Sequence, residues 1–96
     1  MQKNIRTLGL WITNQKEYIN RINKIISQIQ ESKSRFEKML YETENQSDKR
    51  ECSVSIRKCD ETMEVYQSKQ RDSEKRLNAF KEIYEYLNKQ FNQLEE

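Results

Sequence analysis

Cys52 and Cys59 are the only thiols in the chain, and they stand seven residues apart. Two thiols could form a disulfide or supply two ligands to a metal ion. On one helix a seven-residue step separates their Cα atoms by roughly 10 Å, too far for a bridge between them. No histidine is present to complete a zinc site, and the spacing is wider than that of a zinc knuckle. The expected role is therefore small apolar residues in a helix seam.

The acidic residues come in groups, Glu42 with Glu44 and Asp60 with Glu61 and Glu64. Acid–base catalysis would need one of these carboxyls held in a pocket that changes its pKa. The chain also lacks histidine, the commonest acid–base residue. A lone Gly9 cannot build a phosphate-cradling loop. The carboxylates read as solvated helix faces, the expectation is a non-enzyme, and no cofactor, metal or small-molecule substrate is expected.

Lys49, Arg50, Arg57 and Lys58 form a basic group, in which Arg50 and Arg57, seven residues apart, share one helical face as a stripe. Asp48, Glu51, Asp60 and Glu61 interleave with it, and no aromatic residue lies near for base stacking. The net charge of +2 adds little attraction for a polyanion. Nucleic-acid binding along this stripe stands as an alternative reading, and nucleic acid is not the expected partner.

These side chains must be positioned by helices. One glycine, no proline and a high content of Glu, Lys, Gln and Arg favour helix along the whole chain. Only 33% of residues are apolar and 35% are charged, which leaves material for a narrow stripe rather than a broad core. The longest apolar run is Leu10 to Ile12, far short of the roughly 18 residues of a membrane span. Residues near the N-terminus show no secretory signal pattern, and the expected location is intracellular, in the cytoplasm.

The stripe is regular. In the first half Ile5, Leu8, Ile12, Gln15, Ile19, Ile22, Ile26, Ile29, Lys33, Phe36 and Leu40 alternate at steps of three and four. In the second half Cys52, Ile56, Cys59, Met63, Tyr66, Gln70, Ser73, Leu77, Phe80, Tyr84, Leu87, Phe91 and Leu94 do the same. This is the a/d pattern of a coiled coil. The two heptads are out of phase by two residues, which neither a four-residue nor a three-residue insertion repairs. The break falls in the polar stretch from Glu42 to Glu51.

Folding the chain about Gln46 pairs Leu40 with Cys52, Phe36 with Ile56, Ile29 with Met63, Ile12 with Phe80 and Ile5 with Leu87. Each a position then meets a d position, as antiparallel packing requires. The expectation is a single all-α domain over 1–96: an antiparallel two-helix coiled-coil hairpin with helices over 3–44 and 48–94 and a turn at 45–48. The rival is one continuous helix in a parallel dimer. Asn45 is expected to close the first helix in a left-handed conformation, with Ser47 or Asp48 capping the second. Basic residues before Gln30 would lie beside the acidic C-terminal stretch, with Lys16 and Glu74 as the pair to test.

One feature exceeds what a two-helix seam can use. Leu8, Leu10, Trp11, Ile12, Phe80, Ile83, Tyr84, Tyr86, Leu87, Phe91 and Leu94 all gather where the termini meet, and they cover more than one face; without Ile12 and Phe80, and with Tyr18 from the apolar column beside the seam, they make a set of ten. Excess apolar surface of this kind marks an interface, and Trp and Tyr are common anchors. These ten residues are the expected partner-binding set. They point to a structural or assembly module, coupling to a second copy in a helical bundle or to a subunit of a larger complex. A small regulatory or inhibitory binder is the alternative of the same kind.

Overall fold

In a computed structural model, residues 2–95 are described, with side chains for 4–93. Two helices account for nearly all of them: α1, Gln2–Glu42, and α2, Gln46–Glu95, of 41 and 50 residues. No strand occurs among the described residues. The chain is an antiparallel helical hairpin, and a continuous helix is ruled out by the break at 43–45. No described helix is long and apolar enough to cross a membrane.

The turn lies two residues earlier than the polar gap suggests. Asn45, not Ser47 or Asp48, caps α2. Its Oδ1 accepts the backbone N–H of Ser47 at 2.8 Å and that of Asp48 at 3.4 Å. A carboxamide one residue ahead of the helix reaches these N–H groups directly, so the helix begins at Gln46. The Asn45 carbonyl accepts from Lys49 N–H at 3.0 Å, the first bond of the new helix. Asp48 lies in the first turn, where its charge suits the helix dipole. Asn45 is also not left-handed, since no described non-glycine residue has positive φ. Instead Thr43 N–H extends α1 by bonding the Met39 carbonyl at 3.0 Å, and Thr43 Oγ1 accepts from Asn45 N–H at 3.3 Å. Side-chain bonds shape a reversal that has neither Gly nor Pro.

The helices pack in two compact units. The first, Ile22–Lys69, contains the turn. Ile22, Ile26 and Cys52 are buried there, and Ile29, Phe36, Leu40, Ile56, Cys59, Met63 and Tyr66 are half-buried. Lys33 holds the seam place opposite Cys59 and sends its ammonium out to Asp60 Oδ1 at 2.6 Å. Both cysteines are free thiols.

The second unit joins the part of α1 up to Arg21 to the part of α2 from Gln70. Leu8, Ile19 and Ser73 are its buried residues. Ile5, Ile12, Gln15, Leu77, Phe80, Tyr84, Leu87 and Phe91 are half-buried around them. Gly9 lies beside Tyr84, whose Cε2 would stand 3.8 Å from a Cβ built on the glycine. The described positions that carry the 3,4 spacing are all buried or half-buried, so the seam follows the heptads in both units. Lys16 and Glu74 form no ion pair.

Candidate interaction surface

Nine of the ten residues that the sequence marks for partner binding have described side chains, and all nine belong to the unit formed by the helix ends. The side chain of Leu94 lies outside the described residues. The nine divide into two groups. Leu8 is buried, and Tyr84, Leu87 and Phe91 are half-buried, because all four occupy a or d places and form the seam itself. They hold the helices together and have little surface left to give a partner. Leu10, Trp11, Tyr18, Ile83 and Tyr86 remain open to solvent, at 64%, 52%, 37%, 49% and 63% exposure.

Four of those five lie on one flank of the seam. Trp11, Tyr18 and Ile83 occupy g places, and Tyr86 takes the adjoining c place. In an antiparallel pair the g places of the two helices border the same side of the seam. Trp11 leans onto the seam residue Phe80, with ring centroids 5.8 Å apart and planes tilted by 48°. That contact covers part of the indole, and about half of the residue stays exposed. Leu10 stands apart from the flank, at the outward f place.

Charge is spread unevenly over the two flanks of this unit. Around Trp11 and Ile83 the neighbouring c and g places hold Thr7, Asn14, Ala79 and Gln90, all uncharged. Along the opposite flank, at e and b places, lie Arg6, Lys16, Glu74, Lys81 and Glu85. The charged residues of this flank, Arg21, Asp72 and Arg76, lie at its inner end beside Tyr18, and a larger number of charges lines the surface across the seam.

The unit that contains the turn carries features that apolar counting missed. A groove of about 350 Å³ opens over Ile29, Phe36 and Cys59, bordered by Ile25, Ser32, Ser55 and Thr62. It exists because the g places there are mostly small hydroxyl residues that leave the seam uncovered. Their size at those places was the available signal. Met39, Tyr41, Val54 and Val65 are also exposed apolar residues of this unit, spread over several faces. Tyr66 is covered on one side by the Lys69 ammonium, 5.1 Å from the ring centroid.

The basic stripe is arranged as the spacing implies in part only. Arg50, Arg57 and Lys58 are exposed, whereas Lys49 is half-buried in the seam register and Lys58 borders the groove. None of the four makes an ion pair among the described residues. No group of three or more His, Cys, Asp or Glu side chains among those residues could hold a metal ion.

Set against family models, curated proteins and solved structures, the chain matches none.

Proposed function

We propose that the chain is a non-enzymatic coiled-coil interaction module that joins another protein through the unit made by the ends of its two helices. The reading rests on the one-sided exposure of Trp11, Tyr18, Ile83 and Tyr86. A free surface holds scattered apolar side chains at random positions, but here four large ones share a flank whose centre, around Trp11 and Ile83, carries no charge. Trp and Tyr supply large, stiff contact area, which suits them as anchors. The rest of the molecule is scaffold: two long helices joined by a short turn. Whether the module builds a structure or regulates a larger protein, the docking chemistry is the same, and its place is intracellular on this reading.

The test is capture of a stoichiometric protein partner by the full chain. Trp11→Glu and Ile83→Glu are expected to abolish capture, while Lys49→Glu and Arg57→Glu leave it intact. Capture that survives the first two changes and fails with the second two would overturn the reading in favour of the basic stripe. In that event a salt-dependent shift of RNA or DNA would be the measurement to follow.

A further inference from the structure

We infer that the partner for the apolar flank is a second copy of this chain, docked about a two-fold axis so that Trp11 of each copy packs against Ile83 of the other. This deepens the docking reading above and rests on it.

Charge is the first reason. A two-fold interface places a patch on itself, so any net charge of the patch is brought against the same net charge. Like charges brought together disfavour an interface, so a self-pairing surface is best close to neutral at its centre. The Trp11 flank satisfies this condition at its centre, where Thr7, Asn14, Ala79 and Gln90 surround Trp11 and Ile83; its charges, Arg21, Asp72 and Arg76, lie only at the inner end and include both signs. A hetero-partner imposes no such restriction and commonly matches a charged patch with its opposite. The flank on the other side, with Arg6, Lys16, Lys81 and Glu85, has the charges a self-pairing surface avoids.

The second reason is the matching of levels across the seam. In the register that pairs Ile12 with Phe80, Trp11 and Ile83 stand within two residues of the same height, about 3 Å. A two-fold axis parallel to the helices exchanges α1 and α2 at a given height. It therefore sets the indole of one copy on the aliphatic side chain of the other twice over, once on each side of the axis. At the inner end of the flank, Tyr18 meets Arg76 of the second copy, an arrangement that favours a cation–π contact. The result locally is four helices around a new apolar centre.

Area sets the strength. Four partly exposed side chains of these sizes offer on the order of 400 Å² per copy. A standard stable interface takes about 800 Å² from each partner, so this one falls in the small class of weak, transient contacts, and the dimer is expected to form reversibly with concentration.

The chain's single tryptophan makes this measurable on the unaltered protein. Sedimentation equilibrium of the full chain in reducing buffer, from about 1 to about 300 µM, is expected to carry the mass from one chain towards two. Trp11 emission should move to the blue, and acrylamide quenching should fall over the same range. Ile83→Arg is expected to weaken pairing more than tenfold with helicity unchanged, and Lys81→Ala, on the other flank, to leave it as it was. A mass that stays at one chain throughout, with Trp11 emission and quenching constant, overturns the second copy. If such a monomer still needs Trp11 and Ile83 to capture a different protein, the docking reading survives alone. A dimer indifferent to both Ile83→Arg and Trp11→Arg overturns both. Should either variant lose helix, the concentration dependence of wild-type Trp11 emission decides by itself.

Discussion

Lys33 Nζ lies 2.6 Å from Asp60 Oδ1, joining α1 to α2 across a place where the heptad calls for an apolar residue. The pair is about one-third and one-half exposed, so the lysine stem covers the seam while its head stays wet. The Asp60 hydrogen bond and then its charge raise the Lys33 pKa above its ordinary 10.5, with a smaller push from Glu37. In the unfolded chain Lys33 titrates at its ordinary value. Its contribution to stability is therefore whole below that pH and is lost as pH rises through the higher folded value. Asp60→Asn is expected to return the Lys33 titration towards the ordinary value and to remove this part of the alkaline loss. NMR titration of the Lys33 side chain, with urea unfolding at matched pH, checks both. A Lys33 titration unmoved by the change would reject the pair.

Gly9 sits inside α1 with no need for a glycine's freedom, since a Cβ there meets only Tyr84 at ordinary contact distance. Gly9→Ala is expected to stabilise the fold by about 1 kcal/mol, from helix propensity. Thermal unfolding should show a rise of roughly 4–8 °C for a chain of this size. A fall instead would mean that Tyr84 cannot accept the methyl.

Ser73 is fully buried, at 0% exposure, and its hydroxyl has no hydrogen-bond partner. The Gln15 Nε2 group is buried and unpaired in the same unit. Burying a hydroxyl without a partner costs on the order of 1–3 kcal/mol. Ser73→Ala removes that cost and loses little volume, so stability is expected to rise by about 1 kcal/mol in urea unfolding. Ser73→Leu is expected to lower it, because a site with no free surface has no room for three more carbons.

Asn45 provides the side-chain cap of α2. Asn45→Ala is expected to cost about 1 kcal/mol, and Ser47→Ala under about 0.5 kcal/mol. Equal losses at the two positions would return the cap to Ser47. Chemical denaturation of the two variants side by side makes the comparison.

Ile22 is among the most deeply buried residues of the turn-containing unit, at 2% exposure. Ile22→Ala is expected to cost about 2–5 kcal/mol, a large share of the stability of a single-seam hairpin. Tyr41→Ala, in contrast, changes a residue that is 91% exposed, and should move the unfolding midpoint very little.

The seam was readable because burial in a coiled coil is a matter of spacing, and Ile19, Ile22 and Ile26 or Phe80, Tyr84 and Leu87 display that spacing in the residues alone. The turn was readable as a region but not to the residue. Asn45, Ser47 and Asp48 are all competent caps, and no apolar stripe passes through the gap to choose among them. The interaction set was mixed for a different reason. Counting apolar residues puts Leu8 and Phe91 beside Trp11 and Ile83, although the heptad already assigns the first two to the seam and the last two to its flank. The groove over Ile29 and Phe36 escaped notice because Ser32, Ser55 and Thr62 contribute nothing to an apolar count; their effect is the cover they fail to provide.

The reversal at residues 43–45 also dictates an order of assembly. Seam partners near it, such as Leu40 and Cys52, are close neighbours along the chain, and the separation between partners grows steadily towards the ends. Closing a longer loop costs more entropy, so the zipper starts at the bend and runs outwards. Trp11 is brought against Phe80 only near the end of that process. The flank that meets a partner is thus the last surface to exist, and a chain still emerging from the ribosome does not present it until most of α2 has been made.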